Sequence, residues 1–226
     1  MNELIERLGV CIERGKVNAA SPYPRDMKGM DGADELTEKA LASSVGPDEL
    51  LRACTEGMQR IGIRFGRNEV FVPELLMAAK AMQAVMSRLK PFFEAGTVRT
   101  KGSLVLGTVA GDIHDIGKNL VAMVVAGNGW EVIDLGVDVK PQKFIDSVGL
   151  HAGCIVGLSA LLTSTMVNME RTVHEIKSRY PATRVVVGGA PLDAEIAATM
   201  GADGYAPDPQ QAVTVLEGFV AASREE

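Results

Sequence analysis

Cysteine is scarce in this chain. Three are present in 226 residues, at positions 11, 54 and 154, and none falls in a C-x-x-C pair. An odd number so widely spaced argues against a disulfide framework and a zinc knuckle, and it fits a reducing, cytoplasmic location. Positive charge is short as well: 23 Lys and Arg against 29 Asp and Glu leave a formal charge of −6. That balance gives no electrostatic footprint for nucleic acid or for an anionic membrane surface. No apolar run approaches the roughly 20 residues needed to cross a bilayer. The opening MNELIERLGVCIERG is charged and amphipathic rather than a signal peptide. What is present, 46% hydrophobic and 23% charged residues, is ordinary globular composition. A chain of this length can bury a core without staples, as one large domain or two small ones.

The hydrophobic period changes along the chain. The first part, up to about residue 90, repeats at helical spacing. Leu4, Ile5, Leu8 and Ile12 share one face of a first helix, and Leu36, Ala40 and Leu41 begin a second. Between them lies a stretch rich in Gly, Pro and Asp, Lys16–Gly32, which reads as a loop. Pro47 followed by two acids suits the start of a third helix, whose stripe is Leu50, Leu51, Cys54, Met58 and Ile61. A fourth spans Pro73–Leu89, with Leu75, Leu76, Ala79, Met82, Met86 and Leu89 on its buried side. Short connections between such helices predict a small bundle. EAGTVRTKG, Glu94–Gly102, then reads as a linker between a helical domain at 1–93 and a second domain at 102–226.

In the second domain short Val/Ile/Leu runs alternate with helical patterns. SLVLGTVA, EVIDLG, CIVGLSA and RVVVGG have the continuous apolar character of strands buried on both faces, and ADGYAP is a weaker fifth. Five β–α units predict a doubly wound parallel sheet, flavodoxin-like, in the order 2-1-3-4-5. Ligands of such sheets bind beyond the carboxyl ends of the strands, at the point where the order reverses. GDIHDIG, SALLTST, GGAP and YAPD all fall at those ends. The polar and glycine-rich punctuation therefore collects on one edge.

Several familiar sites are missing there. A P-loop needs four residues between its glycines and a hydroxyl after its lysine, whereas five separate Gly111 from Gly117 and Asn119 follows Lys118. No G-x-G-x-x-G and no G-x-S-x-G elbow occurs. The three histidines, 114, 151 and 174, are too scattered for a zinc site. What remains is one loop histidine two residues after Asp112. Such a pair can be a ligand whose second ring nitrogen is held by a carboxylate, suited to a single bond to a metal already carried by a cofactor. It can equally be a cap on the helix that starts near Gly117.

Three motifs in order, Asp112-Ile-His114-Asp-Ile-Gly117, Ser159-Ala-Leu161 and Gly188-Gly189, resemble the cobalamin-binding family of methionine synthase and the corrinoid proteins of methyltransferase systems. FVPELLMAAKAM, Phe71–Met82, is similar to the helical cap of these proteins, so the likeness spans most of the chain. The resemblance implies cobalamin, carried as methylcobalamin or its Co(I) form, bound base-off with His114 as lower axial ligand to cobalt. It implies that Gly111, Asp112, Ile113, His114, Asp115, Ile116 and Gly117 lie against the cofactor. Asp112 would hold the His114 ring, and Thr165 would stand where the family has a serine in a proton relay. Ser159, Leu161 and Thr163 would line the nucleotide-tail channel, Gly188 and Gly189 would admit the ligand to the backbone, and Ala206 and Pro207 would close the slot. Phe71, Val72 and Leu75 would cover the upper face of the corrin, while Met77, Met82 and Met86 read as bundle core.

The activity this implies is that of a methyl carrier, not catalytic alone or one component of a corrinoid-dependent methyltransferase system. Its partners would be a substrate-specific methyltransferase, an acceptor methyltransferase using a pterin or a thiol, and a reductive activator. The same motifs also occur in cobalamin sensors and in mutase subunits. Sensors usually add a DNA-binding or effector module, and mutase subunits usually lack the helical cap. Methylamines, methanol, aryl methyl ethers and betaines are all served by similar carriers.

Overall fold

The computed structural model describes residues 3–95 and 100–222. Of the expected linker Glu94–Gly102, residues 96–99 lie outside the described residues. The chain forms two compact units, Met1–Thr100 with Gly127–Gly129, and Lys101–Ala126 with Trp130–Glu226.

The first unit is helical: α1 (Glu3–Arg14), α2 (Ala33–Ala42), α3 (Pro47–Gly66) and α4 (Val72–Glu94). Pro47 and the acids Asp48 and Glu49 occupy the first turn of α3, where a missing N–H costs nothing and negative charge meets the positive end of the helix dipole. At the start of α4 the Glu74 carboxylate accepts the Phe71 N–H at 3.1 Å. The buried face of α4 is Leu75, Ala78, Ala79, Ala81, Met82, Val85 and Leu89, so Leu76 and Met86 stand at its margin rather than in it. The helix runs past Leu89 to Glu94, because Pro91 falls in the closing turn and forfeits only one backbone bond.

α1 and α3 cross closely, and glycine makes this possible. A Cβ at Gly57 would sit 2.5 Å from the Gly9 carbonyl oxygen and 3.0 Å from Ile12 Cβ. Gly57→Ala gains about 1 kcal/mol of helix propensity but forces the pair apart. The expected net loss is about 2 kcal/mol, read as a lower urea midpoint. An unchanged midpoint would mean that the crossing is looser than its geometry.

The 16–32 stretch is a folded loop with a short 3₁₀ turn at Arg25–Met27. Its organisers are charged. Lys16 is fully buried, its Nζ donating to the Ser21 carbonyl at 2.9 Å. The Glu35 carboxylate accepts the N–H groups of Ala19 and Gly32, both at 2.9 Å. Across the bundle Arg88 grips Asp34 with two bonds, Nε–Oδ1 at 2.7 Å and Nη2–Oδ2 at 3.0 Å, and this guanidinium holds the Asp34 carboxyl below its usual range. The three cysteines are free, buried thiols, and burial pushes Cys11 up to about 11. Among the described residues no helix is long and apolar enough to cross a membrane.

The second unit alternates β1 (Ser103–Thr108), α5 (Ile116–Gly127), β2 (Glu131–Asp134), α6 (Pro141–Leu150), β3 (Ile155–Ser159), α7 (Met166–Arg179), β4 (Val185–Gly188), α8 (Ala194–Thr199), β5 (Gly204–Tyr205) and α9 (Pro209–Ala222). The strands are all parallel in the order β2-β1-β3-β4-β5. One side of the sheet packs Val105, Val156, Leu158, Val185 and Val187 against Phe144, Met169, Val173 and Ile176 of the covering helices. Register fixes the functional edge: Thr108 pairs with Ser159, and Ser159 with Gly188. Three neighbouring strands therefore end at one level, and the loops that leave them start side by side.

Candidate functional site

The loop after β1 is bent by a turn in which the Asp112 N–H donates to the Val109 carbonyl at 3.1 Å. Gly111 takes φ +82° in it, a left-handed conformation free of steric cost only for glycine. This turn drops the Asp112 side chain under the loop, where it is fully buried. All five of its partners are donors. Oδ1 accepts from the His114 backbone N–H at 3.0 Å and lies 2.7 Å from His114 Nδ1. Oδ2 accepts from Leu161 N at 2.8 Å, Leu162 N at 3.2 Å and Thr165 Oγ1 at 2.9 Å. Burial alone would raise this carboxyl, but the N–H donors of His114, Leu161 and Leu162 and the His114 ring outweigh it and hold it well below the usual carboxylate range.

An ionised carboxylate only accepts. The neutral His114 ring therefore carries its proton on Nδ1, and Nε2 keeps a lone pair free for a ligand bond. The His114 side chain is 46% exposed. Its carbonyl is anchored by Thr108 Oγ1 at 2.9 Å, and Asn168 Nδ2 holds the Ala110 carbonyl at 2.7 Å. Asp112 does not cap α5: its acceptors are spent on the loop 112–114 and on the loop after β3, not on the first turn of that helix.

Thr165, the departure from the family's serine, still reaches Asp112. Its methyl lies 3.5 Å from where a Cβ would stand at residue 111, an ordinary van der Waals distance. The single Thr165 proton has two possible acceptors, Asp112 and the Leu162 carbonyl at 2.8 Å. With Asp112 ionised, the charge-assisted bond is the stronger.

Ile113, Ile116, Leu161 and Leu162 are all exposed, and they are the immediate neighbours of His114 and of the amides that hold Asp112. Apolar side chains grouped around a half-exposed imidazole mark a binding surface. Gly117 adds to it. Glycine in a helix costs about 1 kcal/mol relative to alanine, yet a Cβ here would meet nothing within 4 Å. Gly117 is exposed, so this position opens to solvent beside His114. Among the described residues no three His, Cys, Asp or Glu side chains converge on a metal site, so His114 offers one donor. One nitrogen on an apolar platform fits a flat metal macrocycle that brings its other ligands with it.

The remaining residues distribute as follows. Asp115 is exposed and accepts from Asn119 Nδ2 at 2.9 Å. Ser159 is half-buried at the end of β3, and Leu161 and Thr163 are exposed beyond it. Ala206 is buried and Pro207 exposed after β5. Gly188 and Gly189 have a reason inside the protein. A Cβ at Gly188 would come 2.8 Å from the Ala206 carbonyl, and one at Gly189 would overlap the Ala160 carbonyl. In the helical unit Phe71 is 67% exposed and Val72 is exposed, whereas Leu75 is 1% exposed and belongs to the core. Lys118 is turned inward, its Nζ on Asp134 Oδ2 at 2.6 Å and Asn119 Oδ1 at 2.7 Å, and so ties α5 to the end of β2.

Thr108, Asn168, Leu162 and Asp138 take part without having been singled out in the sequence. Thr108 has a visible signal, a polar residue closing an apolar strand. Leu162 acts through its backbone N–H, and Asn168 and Asp138 use their side chains on backbone groups of a loop distant in sequence, which residue type does not reveal.

Comparison with known proteins identifies the family. Residues 102–214 match the B12 binding domain family, and residues 30–90 match a second family of the same description. The chain is 39% identical over 190 residues to trimethylamine corrinoid protein 2 of Methanosarcina mazei, covering 82% of this chain and 87% of the relative. A cobalamin-binding protein from Desulfitobacterium hafniense DCB-2 has a similar structure, with a TM-score of 0.74, 28% identity and coverage of 94% of this chain and 97% of that one. The fold is shared with a chain of the methanol:cobalamin methyltransferase complex MtaBC from Methanosarcina barkeri, with a TM-score of 0.80, 24% identity and coverage of 97% of this chain and 80% of that one. The chain belongs to the B12-binding family, among the cobalamin-binding corrinoid proteins of methyltransferase systems.

Proposed function

We propose that this protein carries a methyl group between two methyltransferases, with His114 as the lower axial ligand of a base-off cobalamin. The observation that carries the reading is the Asp112–His114 pair: a fully buried carboxylate fixes one ring nitrogen and leaves the other half-exposed on an apolar platform. When bound, cobalamin supplies a cobalt centre that can take up and give up a methyl group. The chain supplies everything around it. Asp112 orients the ring and fixes its tautomer. Thr165 Oγ1 donates to Asp112 and completes the relay. Ile113, Ile116, Leu161 and Leu162 support the corrin, and the open space at Gly117 receives it. Ser159, Leu161, Thr163, Gly188, Gly189, Ala206 and Pro207 take the nucleotide tail. Phe71 and Val72 are our candidates for apolar cover, which would keep water from the reacting centre, in a helical cap at 1–93 attached to a cofactor domain at 102–226.

The partners in this reading are a donor methyltransferase, an acceptor methyltransferase working on a pterin or thiol, and a reductive activator, all in the cytoplasm. Support comes from the relative named for trimethylamine and from the fold shared with the methyltransferase complex. The test is reconstitution of the full chain with hydroxocobalamin, then turnover with methyltransferases encoded beside it, offered methylamines, methanol, aryl methyl ethers and betaines. About one cobalamin per chain and methyl transfer from one donor class are expected. A colourless protein, or one that retains adenosylcobalamin and accepts no methyl group, contradicts the reading.

A further inference from the structure

We propose that Asp138 is a positioning residue for cobalt ligation: it clamps the loop that carries His114 from the side opposite the Asp112 contacts. The inference rests on the assignment of His114 as axial ligand. Asp138 lies between β2 and α6 and belongs to none of the three family motifs. It adopts φ +51°, a left-handed conformation that is strained for a non-glycine residue and persists where the surroundings impose it. In that conformation one residue holds two successive residues of the β1–α5 loop. Its Oδ1 accepts the Gly111 N–H at 2.7 Å, and its own N–H donates to the Asp112 carbonyl at 2.9 Å.

The flanking backbone carries the same junction. Thr108 N donates to Gly136 O at 3.0 Å, Val139 N to Thr108 O at 2.9 Å, and Val139 bridges in parallel to Val109. The 136–139 segment therefore extends the sheet beside the ligand loop. On the other flank the loop is held through the Asp112 side chain by Leu161, Leu162 and Thr165. Asp112 is gripped on both sides, by its carboxylate from one and by its carbonyl from the other. Its own placement decides where the His114 ring stands. Gly111 and Asp138 are themselves exposed, so the Asp138 carboxylate fills no core position. Its contact with the loop is the hydrogen bond to the Gly111 turn.

Asp138→Gly tests this cleanly, because glycine accepts the left-handed backbone without strain and only the carboxylate is lost. Asp138→Asn keeps an acceptor oxygen and tolerates the same conformation. Hydroxocobalamin affinity is measured on the full chain for wild type, Asp138→Gly, Asp138→Asn, His114→Ala and the double variant with Asp138→Gly and His114→Ala. Asp138→Gly is expected to weaken binding about tenfold, the lower end for outer-shell partners of metal ligands, and Asp138→Asn to restore most of it. In the His114→Ala background the Asp138→Gly effect should shrink below about twofold, since coupling vanishes once its mediator is gone. An equal loss in both backgrounds would make Asp138 merely structural, and no loss in the wild-type background would make it irrelevant. Either result overturns the inference while leaving the methyl-carrier reading standing. A wild-type chain that binds no cobalamin sinks that reading itself, and the inference with it.

Discussion

Asp112→Ala is expected to cost about 3 kcal/mol of stability and to abolish ordered ligation by His114 at the same time. Five donors converge on that carboxylate. Removing a buried, hydrogen-bonded charge strands its partners, at about 1–3 kcal/mol for each donor that water cannot reach. Asp112→Asn should be nearly as damaging to ligation, for a different reason. Whichever way the amide is turned, its NH₂ faces donors. Keeping the oxygen toward Leu161, Leu162 and Thr165 satisfies three of them and points the NH₂ at the His114 ring. The ring then accepts on Nδ1 and moves its proton to Nε2, the nitrogen that must bind the metal. Urea unfolding of the cofactor-free variants reads the first effect, and the cobalt spectrum of the reconstituted variants reads the second.

The same residue sets a pH dependence. Asp112 is held below its ordinary value in the folded chain, so the unfolded chain takes up the proton first as pH falls. The stability contributed by the ionised form is complete above about pH 5 and drains away as acid carries the solution below about pH 4. Asp34, held down by Arg88, and Asp203, where the Lys177, Val185 and Arg184 donors outweigh burial, act in the same direction. A urea midpoint that falls between pH 5 and pH 3, with a smaller fall in Asp112→Asn, is the expected observation.

His114→Ala is the second large effect, and its signature differs. The imidazole is half-exposed, and its loss removes one of the five donors to the buried Asp112 carboxylate, so stability should fall by about 1 kcal/mol, well short of the loss in Asp112→Ala. Cobalamin affinity should fall at least about tenfold, and the bound cofactor should show a base-off spectrum without a histidine nitrogen. Some binding should survive, because the residues after β3, β4 and β5 assigned to the nucleotide tail are untouched. The contrast between the two variants separates orientation from ligation. One loses fold and ligand together, and the other loses chiefly the ligand.

Much of this was legible in the residues. Continuous Val/Ile/Leu runs bounded by Gly and Asp identified buried parallel strands, and their number suggested the order that the sheet adopts. The register that aligns Thr108, Ser159 and Gly188 follows from strand ends that the glycine-rich punctuation already marked. Asp112 and His114 stood out as a loop histidine two residues after an aspartate, but residue type alone left a held ligand and a helix cap equally open. Other features left no such trace. The close crossing of α1 and α3 depends on Gly9 and Gly57, which are unremarkable inside helices until their backbones meet. Lys16 reads as a surface lysine in a polar loop, and only the fold of that loop buries it. The close approach that Gly188 and Gly189 permit, to the Ala206 and Ala160 carbonyls, involves chain segments far away in sequence. Asp138 works through one carboxylate oxygen and one backbone N–H, and its left-handed backbone is a property of the turn rather than of the residue type.

The most direct test of the account is the electron paramagnetic resonance spectrum of the Co(II) form, recorded on full-length protein made with ordinary and with ¹⁵N-labelled histidine. Ligation through His114 Nε2 predicts nitrogen superhyperfine triplets in the unlabelled sample that collapse to doublets in the labelled one. Triplets that persist with ¹⁵N-histidine would show that the nitrogen comes from the cofactor's own base, and His114 would not be the ligand.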